Sequence, residues 1–282
     1  MAEEGRGDVR SGGTYGSIDA VERWRRSGAS RAFLGPITER MLDLAGVERG
    51  YRVLDVAAGS GEQTLLVARR VGPSGSVLAV DIAARMLAIA AETAQQAGYR
   101  NVQTRVVDAR DLDLEPDSFD AAISRLALML IPERAKTMAG IRQALKPGKR
   151  FVALVIGAAE ECPFIGLPMV VAGRRAGRPR APFGDPGLFA LGEPSVLTSV
   201  FERAGFRDVA VEAVAVQRRF PSLAVAVQNL RDILPEVSEL LVDQSEAERD
   251  SVWAEIEEAL RRFEGAEGFA APHTFRIGVG TK

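Results

Sequence analysis

The feature that most constrains this chain is a regular alternation between residues 51 and 157. Five short apolar runs, "YRVLDVA" (51–57), "SVLAVDI" (76–82), "VQTRVVDA" (102–109), "FDAAISR" (119–125) and "FVALVIG" (151–157), are separated by a polar turn or by helical stretches at 62–71, 83–97 and 132–145. Runs this apolar lose too much if either face stays in water, and each connecting helix is long enough to return the chain for a parallel pairing. The expected architecture is therefore α/β: a Rossmann-like, doubly wound, mostly parallel sheet with helices on both faces. Two later strand-like runs, "RDVAVEAVAVQRRF" and "APHTFRIGVGTK", bring the expected count to seven strands, the last antiparallel.

The flanks read differently. Residues 1–17 are polar and glycine-rich and are expected to form a mobile arm, and 18–50 a helical cap with an apolar stripe at Ile37, Met41, Leu42 and Leu44. After the 51–157 core, residues 158–192 are rich in Pro, Gly and Arg and read as a lid-like insertion over the strand ends. Phe164, Ile165, Leu167, Met169, Phe183 and Phe189 give that segment an apolar content suited to lid core or to a pocket wall. Residues 193–282, including one helical stretch over about 222–263, are expected to complete the sheet and the pocket.

Bulk chemistry narrows the function. A net charge of −2 provides no basic field for nucleic acid, and the local run "GRRAGRPR" (173–180) lacks the interleaved aromatics of a single-strand binder. One cysteine and one histidine exclude an intrachain disulfide and a histidine-rich metal site. The N-terminus has no apolar signal region and no run is long enough to span a membrane, so a cytoplasmic enzyme with a small-molecule partner, as monomer or homodimer, is expected.

The turn "VLDVAAGSGEQT" (53–64) follows the first strand with Gly59 and Gly61, a pattern that by itself is a weak nucleotide signal. Thr64 stands where a dinucleotide fingerprint has its third glycine, and no phosphate-binding G-x-x-x-x-G-K-[ST] occurs. Asp55 would repel a pyrophosphate but suits an ammonium group. Asp81 ends the second strand, where a carboxylate can accept from a ribose diol. Asp108 and Ala109 end the third, where they can read an adenine edge. Any one of these acids alone reads as a turn or cap residue; three at successive strand ends describe a ligand with ammonium, ribose and adenine but no phosphate, S-adenosylmethionine.

Residues 51–157 also resemble class I S-adenosylmethionine-dependent methyltransferases. "VLDVAAGSGEQT", "VLAVDIAARML", "VVDARDLDL" and "FDAAISRLALMLIPERAKTMAGIRQALKPGKR" correspond to that family's successive motifs, and the nearest subgroup in character is the ubiquinone/menaquinone-biosynthesis methyltransferases and their small-molecule relatives. The resemblance implies that Asp55, Ala57, Gly59 and Gly61 line the methionine part and that Asp81 holds the ribose. It further implies that Ile82 and Met86 flank the adenine, Asp108 and Ala109 bind its edge, and Ser124 lines the mouth with Arg125. Ala57 and Ala58 replace the family's commoner Gly and Gly or Cys, and both are small enough to keep the backbone approach open.

Displacement at a sulfonium needs alignment first and a base only where the acceptor must lose a proton. His273, Arg125 and Tyr15 are candidates for roles in catalysis, and Trp24 with Tyr15 for closing over the cofactor. The expected acceptor is small and moderately hydrophobic: quinone-like, aromatic or polyketide-type. A non-methylating enzyme on the same fold, such as a cyclase that only binds the cofactor, would carry the same motifs.

Overall fold

The computed structural model describes residues 29–179 and 184–282. Strands β1 (Arg52–Val56), β2 (Ser76–Asp81), β3 (Val102–Val106), β4 (Phe119–Arg125) and β5 (Leu145–Ile156) are parallel and lie in the order β3-β2-β1-β4-β5. The order reverses at β1, so the C-terminal ends of β1, β2 and β4 open onto the crevice where open α/β sheets take ligands. Beyond β5 the sheet turns antiparallel. The chain continues through β6 (Arg207–Phe220), a two-residue β7 (Glu264–Gly265) and β8 (Gly268–Thr281); β8 inserts between β5 and β6, antiparallel to both. β7 is a hairpin stub on β8, which makes the sheet eight-stranded rather than seven.

Helices α1 (Ala29–Leu44), α2 (Glu62–Val71), α3 (Ala84–Gln96) and α4 (Arg134–Ala144) cover the parallel half. Val53, Leu54 and Val56 of β1 are wholly buried, as the unbroken apolar run requires. The third strand departs from that rule: Gln103, Thr104, Arg105 and Val106 are exposed, because β3 is the sheet edge. Helix α4 begins at Arg134, two residues later than the proline suggests; Glu133 takes a left-handed backbone (φ 48°) and leaves Pro132 outside.

The segment after β5 is largely helical. It forms α5 (Pro163–Arg175), whose Phe164 is fully buried. Arg276 of β8 donates to Glu161 Oε2 at 2.5 Å and to the Gly192 carbonyl at 3.2 Å, so one buried guanidinium ties both ends of the segment to the sheet. Of the basic run, Arg174 pairs with Glu255 and Arg178 with Asp243, both solvent-facing contacts. Helix α6 (Pro194–Arg203) stacks Phe201 on Phe151 of β5 at 5.3 Å between ring centroids.

The stretch read as one helix over 222–263 is three, α7 (Leu223–Ile233), α8 (Pro235–Leu240) and α9 (Glu246–Leu260). Pro235 lacks the N–H that would continue α7, and Ser245 starts α9 through a reciprocal capping pair with Glu248. Among the described residues no helix is long and apolar enough to cross a membrane.

Candidate active site

The turn between β1 and α2 shapes the floor of the site. Ala57 (φ 56°), Gly59 (φ 57°) and Gly61 (φ 84°) all adopt left-handed backbone, which strains only the alanine. A side chain at Gly61 would meet Ala90 Cβ at 2.6 Å and its Cα at 3.0 Å, so this glycine lets α3 lie directly on the turn.

Asp55 sits behind that turn, not on its ligand side. It is fully buried and accepts from Thr64 Oγ1 at 2.6 Å and Gln63 Nε2 at 3.3 Å. Burial pushes its carboxyl up to about 6, against the pull of those two hydrogen bonds. Thr64, the residue that breaks the dinucleotide pattern, is therefore Asp55's own partner. Asp55 does not line the cavity, contrary to its expected contact with an ammonium group. Gly61 and Ser124 are likewise off the cavity wall; Ser124 is fully buried at the end of β4, its hydroxyl without a hydrogen-bond partner.

The remaining acids do reach the crevice. A cavity of about 570 Å³ opens there, within the usual range for small-molecule sites. Ala57, Gly59, Asp81, Ile82, Met86, Asp108 and Ala109 line one end. Asp81 accepts the Gly59 N–H and the Ala83 N–H, both at 2.8 Å, one on each carboxylate oxygen. That pins the carboxylate at the end of β2 and leaves each oxygen able to accept again. Asp108 is clasped by Arg110 through its Nε and Nη2 and through its backbone N–H, which holds the Asp108 carboxyl below the usual range.

The other end is built by distant elements. Phe33 of α1, Ile165 of α5, Arg218 of β6, Ile233 of α7, and His273 and Phe275 of β8 converge there. His273 is 2% exposed and its Nδ1 has no hydrogen-bond partner. Burial, helped by the charge of Arg218, presses its imidazole down to about 3, so it is neutral at physiological pH. Arg125 lines the junction of the two ends, but its guanidinium is committed: it donates to Glu62 Oε2 and Thr38 Oγ1, each at 3.1 Å. Tyr15 and Trp24 lie outside the described residues, as does Phe183.

Arg218 lines the cavity although its place in the sequence does not mark it as a site residue. The signal was present: Val214, Val216, Arg218 and Phe220 are the less exposed alternation of β6, while Ala213, Ala215, Gln217 and Arg219 are exposed. An arginine in the apolar register of a strand is an anomaly, but only the fold shows what it faces.

Residues 47–181 match the family model described as a methyltransferase domain. Over 114 residues the chain is 33% identical to the ubiquinone/menaquinone biosynthesis C-methyltransferase UbiE of Idiomarina loihiensis, covering 40% of this chain and 45% of that protein. It is 33% identical over 118 residues to the nocamycin O-methyltransferase of Saccharothrix syringae, covering 42% of each. The chain thus spans less than half the length of these curated relatives. Among solved structures, the Haemonchus contortus phosphoethanolamine N-methyltransferase 2 bound to S-adenosyl-L-methionine superposes with a TM-score of 0.55 at 21% identity, over 88% of this chain and 52% of that one.

Proposed function

From the premise that residues 47–181 form a class I S-adenosylmethionine-dependent methyltransferase domain, we propose that the protein transfers a methyl group to a small, moderately hydrophobic acceptor. The observation that carries this reading is the continuity of the cavity, which joins the Gly59–Asp81–Asp108 end to an apolar end lined by Phe33, Ile165 and Phe275.

The residues present suit the cofactor. The Asp81 carboxylate, pinned by two backbone N–H groups, would accept the ribose hydroxyls. Ile82 and Met86 would flank the adenine, Asp108 and Ala109 would bind its edge, and the Ala57–Gly59 backbone would run along the methionine part. With Asp55 behind the turn, its role is to brace Gln63 and Thr64 at the start of α2, and so to hold the turn's shape. When bound, S-adenosylmethionine supplies a methyl group on a sulfonium that departs as the neutral thioether.

The chain's own work is then alignment and exclusion of water. The apolar end holds the acceptor against the open side of the turn, and Arg125, neutralised by Glu62, joins the two ends without offering a free charge. His273 lines that end as a neutral imidazole too weakly basic to take a hydroxyl proton, so an oxygen nucleophile would enter the site already ionised. The family does not decide the acceptor atom, since the named relatives methylate carbon, oxygen and nitrogen. Quinone-like, aromatic or polyketide-type acceptors fit an apolar cavity of this size, with the protein acting as monomer or homodimer and without nucleic acid.

The test is an acceptor screen with isotopically labelled cofactor, reading methylated product and S-adenosylhomocysteine by mass. Methylated product is expected. Acceptor conversion without S-adenosylhomocysteine would make the protein a non-methylating enzyme such as a cyclase, and NAD binding in place of S-adenosylmethionine binding would overturn the cofactor assignment.

A further inference from the structure

Arg218 has more positive charge than its surroundings answer. Its guanidinium carbon lies 4.6 Å from the ring centroid of Phe33, 5.2 Å from Phe164 and 5.6 Å from Phe220, and its Nη2 donates to Asn229 Oδ1 at 3.3 Å. Its Nε is buried with no hydrogen-bond partner, and it forms no ion pair among the described residues. The other cavity arginines are each matched to an acid, Arg110 to Asp108 and Arg125 to Glu62. Asp232 also lines this end and accepts from Gln228 at 3.4 Å; the ion pairs found among the described residues do not include one between it and Arg218. Aromatic faces soften the cost of a buried cation without supplying an acceptor for its N–H groups. Beside it, His273 leaves a second polar atom, Nδ1, without a partner.

Arg218 and His273 stand on neighbouring strands and both line one cavity, and a guanidinium there with no ion pair among the described residues describes a ligand with an acidic oxygen. Resting on the methyl-transfer reading of this cavity, we propose that the acceptor is an organic anion whose carboxylate, or ionised enol or phenol oxygen, seats on Arg218 while its apolar body lies among Phe33, Ile165 and Phe275. Arg218 is then the specificity-determining residue: an anionic acceptor answers its charge, and a neutral analogue of the same shape does not.

The test uses the full chain, with and without S-adenosylhomocysteine, in isothermal titration with two probe pairs. One pair is 1-naphthoate and 1-naphthamide; the other is 2-acetylcyclohexane-1,3-dione, an acidic enol, and its neutral enol methyl ether. At least one anion is expected to bind about tenfold or more tightly than its neutral partner, and the pair that discriminates identifies carboxylate or enolate as the source. Arg218→Gln should erase that preference with cofactor affinity unchanged, and Arg218→Lys should retain part of it. Equal binding of both members in both pairs, including no binding at millimolar concentration, overturns the proposal, as does a preference that survives Arg218→Gln. If Arg218→Gln does not fold, the wild-type preference and Arg218→Lys decide. Titration with S-adenosylmethionine runs separately, so loss of cofactor binding would count against the methyl-transfer reading and not against the anion site.

Discussion

The two ends of the cavity are built by opposite strategies. The cofactor end comes from consecutive strand ends, and its acids are held by short-range backbone contacts, as where Asp81 takes the Gly59 and Ala83 N–H groups. The end proposed for the acceptor comes from α1, α5, β6, α7 and β8, and there the Arg218 Nε and the His273 Nδ1 have no hydrogen-bond partner. An end assembled locally arrives with its hydrogen bonds made. An end assembled from distant elements can keep groups in reserve, because packing around them, and not their own partners, holds them in place.

The contrast breaks most sharply at Gly61. Gly61→Ala places a Cβ against the backbone of α3 in a left-handed conformation, and should cost about 4 kcal/mol from strain and overpacking together. Denaturant unfolding measures it; a cost under about 1 kcal/mol would show that the cofactor end yields as easily as a loop.

Each end also buries a group whose neutral form burial favours, with opposite consequences for pH. Asp55 is raised to about 6 in the folded protein, so its contribution to stability is lost as pH rises from its unfolded value near 4 to 6. His273 is lowered to about 3, so stability is lost as pH falls from about 6.5 toward 3, where only the unfolded chain gains the proton. Between pH 6 and 4 the two oppose each other. His273→Leu should leave a protein that gains on acidification relative to the wild type, and Asp55→Asn one that loses, each by about 1.4 kcal/mol per pH unit. Parallel stability curves for both variants would mean neither group is held neutral.

Smaller effects separate the ends functionally. Asp81→Ala should weaken S-adenosylmethionine by about 2 kcal/mol through lost charged hydrogen bonds, with naphthoate affinity measured without cofactor unchanged. An unaltered cofactor dissociation constant would show that the ribose is held elsewhere. The least effect is a gain: Ala57→Gly relieves a left-handed alanine and should stabilise by about 1 kcal/mol. A loss in thermal unfolding would show that the chain-entropy cost of glycine outweighs that strain.

Much of the cofactor end was legible in the linear chain, since strand ends, glycine turns and acids follow one another at short separations. Ala57, Gly59, Asp81, Ile82, Met86, Asp108 and Ala109 line one cavity. Asp55 and Ser124 do not line the cavity, because residue spacing puts a side chain at a strand end but does not say to which face it turns. Asp55 turns toward Thr64 and Gln63, and Ser124 into the core. Helix joints failed where a single proline, Pro235, outweighed a continuous apolar rhythm.

By itself the chain determined the parallel α/β core, its glycine turn and the acids around it, because hydrophobic periodicity and left-handed turn positions act over a few residues. Only tertiary structure decided the acceptor end. Phe33, Arg218 and His273 come from three elements far apart in sequence, and whether a buried charge is answered depends on every neighbour that folding brings to it.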